Sequence, residues 1–188
     1  MTDDVPTNDV PAREYYTAQE IADLALEWGA SATILDNGGE TIIELERERT
    51  ASSVQLELGP AAEFYDDMIC RNWLFVPSAP HRFCDRWNRF PYFATLSVMY
   101  DENDIPKTTE FGFVIRAAKV LEFDRFRKRN DILLEVLMFW FAMEALQESV
   151  LRGGDDVEVL REGFRDGSFS KWWFGGDDDA STNDVDDA

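Results

Sequence analysis

The chain has 188 residues, 45% of them hydrophobic and 13% aromatic, and carries a formal net charge of −20. That length fits one domain with tails, and that composition can bury a sizeable core. The anionic excess argues against nucleic acid, whose phosphates need clustered Lys and Arg, and against anionic membrane surfaces.

The first residues, MTDDVPTNDVPARE, have neither the basic region nor the apolar core of a secretory signal. They are expected to form a flexible acidic leader, residues 1–14, and a cytoplasmic setting is the default expectation. Order is expected from Tyr16. Thr17 and Glu20 have capping-box spacing, and Tyr16 can staple onto Ile21. Ile21, Leu24, Ala25 and Trp28 then recur at helical spacing until Gly29. Ala32 to Leu35 lead into Asp36-Asn37-Gly38-Gly39, a strong hairpin cue, with a return strand over Thr41 to Glu48. Val54, Leu56 and Leu58 alternate with polar residues in a third strand. Met68 to Val76 reads as a fourth, with Ile69, Trp73 and Phe75 on one face. The count between residues 50 and 77 stays open, because Pro60 to Asp67 resembles an insertion.

Ala79 to Arg89 predicts a short helix burying Phe83 and Trp87. Tyr92 to Tyr100 and Thr108 to Ile115 predict two strands around the loop at Asp101. A long helix follows, starting between Glu122 and Asp131 and running to about Leu151. Its stretch NDILLEVLMFWFAMEAL is apolar on every side, interrupted only by Glu135 and Glu144. It is too short and too acidic for a membrane span of about 20 residues. It needs cover, from its own sheet, a second copy or a client protein. The order helix, strands, helix, two strands, long helix predicts an α+β fold, an antiparallel sheet with helices packed on one side. Domain limits follow at 15–152, with a helical and aromatic extension over 153–174 and an acidic tail over 175–188.

No catalytic or cofactor motif stands out, and no cofactor is expected. His81 lacks a nucleophile with an aligned base. The Asp101, Asn103 and Asp104 loop departs from a calcium-binding pattern at Ile105 and Pro106. Cys70 and Cys84 are too few for a disulfide framework or a zinc site.

The run Phe83-Cys-Asp-Arg-Trp-Asn-Arg-Phe90, then an aromatic strand, an acidic loop, another strand and a long helix, resembles the YbjN-domain family. The N-terminal helix and the Asp-Asn-Gly-Gly hairpin fit the same template, over about Tyr15 to Ser149. The resemblance implies a fold similar to type III secretion chaperones and a regulatory, non-enzymatic binding role in bacterial sensory transduction. Where members of that family open the last helix with a Gly-Val-Ser/Thr stretch, this chain has Ala117 to Leu121.

Partner-binding candidates are three groups. Arg125, Arg127, Lys128 and Arg129 form the one dense basic patch, which the acidic tail or an acidic partner could meet. Phe139 and Met143 belong to the over-apolar helix. Trp172, Trp173 and Phe174 form an aromatic cluster beside the tail. Together they predict a protein partner, and a homodimer through the long helix. The alternative is a small-molecule or enzymatic pocket under that helix.

Overall fold

The computed structural model describes residues 10–27, 29–47, 52–89 and 94–151. The expected capping box forms: Glu20 N–H donates to Thr17 Oγ1 at 3.2 Å, and Thr17 N–H donates to the Glu20 carboxylate at 2.9 Å. Two donors that a helix start leaves orphaned are thereby satisfied, and α1 (Ala18–Glu27) begins there. It buries Ile21, Ala22, Leu24 and Ala25. Tyr16 is fully buried, its ring edge-on to Phe123 at 5.1 Å.

Four strands follow: β1 (Ser31–Asn37), β2 (Glu40–Glu46), β3 (Val54–Pro60) and β4 (Asp67–Val76). The β1–β2 turn is Gly38-Gly39, one residue later than the Asn-Gly cue implies, and both glycines have the positive φ that a primed hairpin turn requires. After α2 (Pro80–Asn88) come β5 (Thr95–Val98), β6 (Thr108–Thr109) and β7 (Gly112–Glu122), then a 3-10 turn over Phe123–Arg125 and α3 (Arg129–Leu151). The strand expected over Thr108 to Ile115 is a hairpin, because the chain reverses at Glu110 and Phe111. Gly112 permits this with φ 123, in a space where a Cβ would lie 2.5 Å from the Val76 carbonyl oxygen.

The fold is α+β, as the order of elements predicts: a seven-stranded antiparallel sheet in the order β1-β2-β3-β4-β7-β5, with β6 paired to β7. Four strands precede α2, which closes the open count between residues 50 and 77 at two. Helix α1 packs on β1 and β2, α2 on β5, and α3 on β4 and β7. The core lies between: Ile43, Leu45, Val54, Leu56, Met68, Cys70, Leu74, Ile115 and Ala117 point into it from alternate positions. The intervening residues face away from the helices. On β4 the buried set is Met68, Cys70, Asn72, Leu74 and Val76, so Ile69, Trp73 and Phe75 line the open face.

Residues 10–14 depart from the expected loose leader. Ala12 N–H donates to the Arg127 carbonyl at 3.0 Å and Arg129 N–H to the Val10 carbonyl at 2.9 Å, while Arg13 pairs with Glu20.

Candidate binding surface

Helix α3 is covered almost entirely within its own chain. Phe139 and Met143 are fully buried, which corrects their assignment as partner-binding residues: their neighbours are core side chains, not solvent. Of its large apolar residues only Leu134, Met138 and Leu151 stay exposed. The two glutamates that interrupt the helix are tethers to the sheet side. Glu135 forms an ion pair with Lys119 of β7. Glu144, buried, accepts from Ser52 N–H and Ser52 Oγ at 3.2 Å each, and from Trp140 Nε1 at 3.3 Å. Ser52 Oγ also accepts from buried Asn72 at 3.1 Å. A turn further on, Gln147 accepts from Phe75 N–H at 2.6 Å and donates to Phe75 C=O at 3.1 Å, closing β4 where β3 no longer pairs with it. The all-round apolarity of α3 therefore serves self-packing.

The basic patch is likewise dispersed. Helix α3 starts at Arg129, not near Asp124, so its first turn does not collect the four cations. Arg125 is ion-paired with Glu122 and Arg129 with Glu27 of α1. Arg127 is exposed, and Lys128 bridges to Pro11 through the backbone. Internal carboxylates thus already pair Arg125 and Arg129. Trp172, Trp173, Phe174 and the tail lie outside the described residues.

Among the described residues, no helix packs on the other face of the sheet, called the open face here. The β4–β7 register sets Ile69 beside Val120, Arg71 beside Ala118, Trp73 beside Arg116 and Phe75 beside Val114. Phe111 adds an exposed ring 5.8 Å from Phe75. Arg71 is ion-paired with Glu57 of β3. Arg116 is different. It sits half-buried between Trp73 on β4 and Ser97 on β5, its Nε shielded from solvent, and its side chain makes no hydrogen bond or ion pair with any described residue. The residues next to it along β7 on this face are Val114 and Ala118, so no carboxylate adjoins it on its own or the neighbouring strands. In a chain of net charge −20 this is a locally acid-free spot around an unanswered guanidinium. The sequence offered a signal for it: β4 alternates two apolar faces, and only burial decides which one is open.

Other singled-out residues act structurally. Trp87 is buried and its Nε1 donates to Ala94 C=O at 2.8 Å. Asn88 donates to Leu96 C=O at 2.7 Å and accepts from Leu96 N–H at 2.9 Å, so its amide pairs with strand β5 like a neighbouring strand. His81 is exposed, with Tyr100 Oη 3.4 Å from its ring nitrogens. The Asp101 carboxylate accepts from Asn103 N–H and Ile105 N–H, at 2.8 and 3.0 Å, and these hold its pKa below the usual range. Cys70 and Cys84 are buried free thiols, and burial pushes both up to about 12.

The clefts of the described surface include the following two. One, of about 410 Å³, is lined by Glu14, Tyr15, Asp66, Asp67, Glu122 and Asp124. Desolvation, then Asp66 and Glu122, raise the pKa of Asp67 there. The other, of about 210 Å³, lies at the start of α2 beside Arg82, Phe83 and Arg86, and meets α3 only at Val150. Among the described residues no cluster of His, Cys, Asp and Glu is arranged to hold a metal ion, and no helix is long and apolar enough to cross a membrane.

Set against known protein families, curated proteins and solved structures, the chain matches none. The described residues form an α+β domain with helices packed on one face of an antiparallel sheet.

Proposed function

We propose that the protein is a non-enzymatic binding module that takes a carboxylate-bearing protein segment on the open face of its sheet. The observation that carries this reading is Arg116: a half-buried guanidinium whose Nε is shielded from solvent without a hydrogen-bond partner and whose side chain is paired with no described residue, flanked by Trp73 and Ser97. A buried charged donor left unpaired costs free energy, and a planar guanidinium fits a carboxylate bidentately. Trp73, Phe75 and Phe111 supply apolar area around it, the kind of residue that dominates interface energetics. Such a module fits the regulator role that a YbjN-like order of elements implies.

The test uses fluorescein-labelled peptides of alternating apolar and Glu residues, with the same peptides carrying Gln in place of Glu. Fluorescence anisotropy should show the acidic set binding more tightly, and Arg116→Ala should weaken it at least about tenfold, the loss expected for one charge-assisted contact. Trp73→Ala should weaken both sets. Equal affinity for the Glu and Gln peptides would overturn the reading, as would tighter binding of an oligouridylate.

A further inference from the structure

The sheet has places where strand backbone lacks a neighbouring strand, and two are closed by side-chain amides. Asn88 satisfies both backbone groups of Leu96 on β5, and Gln147 satisfies both of Phe75 on β4. Among the described residues the β1 edge has no such cap. The pair Asn37 and Glu40 flanks the two-residue turn, so Asn37, Leu35, Thr33 and Ser31 exchange hydrogen bonds with β2. The N–H and C=O of Ala32, Ile34 and Asp36 then point away from β2, and among the described residues β1 has no other strand beside it.

This edge also lacks the usual guards. Over its seven residues, SATILDN, it has no Lys, Pro or bulge, and its centre is Ile34 and Leu35, which are 41% and 39% exposed. Leu26 of α1, the helix that packs on β1 and β2, is exposed as well.

We infer that two copies of the chain pair through β1, antiparallel about a twofold axis at Ile34, to make one continuous sheet. The register is self-complementary. Ile34 faces Ile34, Ala32 faces Asp36, and Thr33 faces Leu35. Each of Ala32, Ile34 and Asp36 donates to and accepts from the partner, using the groups that β2 leaves free. Asp36 is the only charge on the strand and faces Ala32, so no carboxylate opposes another across the junction. A second copy fits better than a generic strand because this register satisfies every outward group and opposes apolar to apolar at the centre. The net charge of −20 per copy acts against pairing only at long range.

The experiment is light scattering coupled to size exclusion on the full chain at about 100 μM, where a micromolar interface is largely assembled. It is run in about 0.5 M NaCl, which shortens the screening length to about 4 Å. The expected mass is twice the 21.6 kDa of the chain. Ile34→Pro removes an outward N–H while sparing the bonds to β2, and Ile34→Glu sets carboxylate against carboxylate. Both should give monomers with an unchanged circular dichroism spectrum. Ile34→Cys supplies a readout that needs no destabilising change. Directly opposed residues in such a pair have Cα atoms about 5.5 Å apart, within disulfide range, so mild oxidation should cross-link the copies. Ala32→Cys, facing Asp36, should not cross-link. A monomeric wild-type chain, a dimer untouched by Ile34→Glu, or equal cross-linking at residues 32 and 34 would each overturn the inference. A retained mass of two chains with the acidic peptides still bound by Ile34→Glu would place the dimer elsewhere on the molecule.

Discussion

Glu144 joins three parts of the chain that the sequence keeps far apart. Its carboxylate gathers Ser52 and Trp140, and through Ser52 it holds Asn72 on β4. Glu144 and Asn72 are the buried polar side chains of the described residues, and they lie in one network. Removing the carboxylate strands donors that have left water, and each such orphan costs about 1–3 kcal/mol. Glu144→Leu should therefore cost about 3 kcal/mol in urea unfolding. Leu134→Ser, on the exposed side of the same helix, should change stability by less than about 0.5 kcal/mol. Equal losses at the two positions would refute the network as the reason for a glutamate in an apolar helix.

At the scale of the element, α1 shows how a local signal titrates. The Thr17 N–H, then the Arg13 guanidinium, draw the Glu20 carboxyl down to about 2. A folded pKa below the unfolded one means the contribution is fully present above about pH 4.5 and is lost as pH falls towards about 2. Thr17→Ala should cost about 1 kcal/mol at pH 7. Glu20→Gln should flatten the stability profile between pH 4.5 and 2, read by urea titration at several pH values. If Glu20→Gln and wild type lost stability in parallel over that window, the capping box would carry none of the acid sensitivity. This helix was legible in sequence because its signals are local: Thr17, Glu20 and the apolar spacing lie within one segment. Helix α2 and the hairpin over residues 31–46 were legible on the same grounds. Non-local facts were not. The open side of β4 depends on which face α3 covers, and both faces carry apolar residues. The break at Glu110 and Phe111 hides in an alternation that continues through Gly112. The all-round apolarity of α3 was visible, but its cover was not, since Ser52, Lys119 and the sheet reach it only through the fold. The basic run at residues 125–129 looked like a surface patch because Glu27 and Glu122 are placed beside it only by folding.

For the whole molecule the governing quantity is charge. A formal −20 carried by one chain of 188 residues repels itself, and salt should relieve that repulsion. Raising NaCl from about 20 mM to about 300 mM contracts the screening length from about 20 Å to about 6 Å, so Tm should rise by a few degrees. The junction proposed at β1 brings two such charges together without an ion pair across it, so its association should tighten over the same range. Residues 175–188 carry six aspartates and no cation. Deleting them should leave Tm at high salt unchanged, shrink its salt dependence, and favour the dimer at low salt. A tail bound to Arg125–Arg129 would have the opposite effect: it would stabilise the fold, and its loss would lower Tm most at low salt. Arg125 and Arg129 already have Glu122 and Glu27 as partners, which leaves the tail little charge to recruit there. Thermal unfolding of the full and shortened chains at the two salt concentrations decides between them, because the two models predict opposite signs for the change in Tm at low salt.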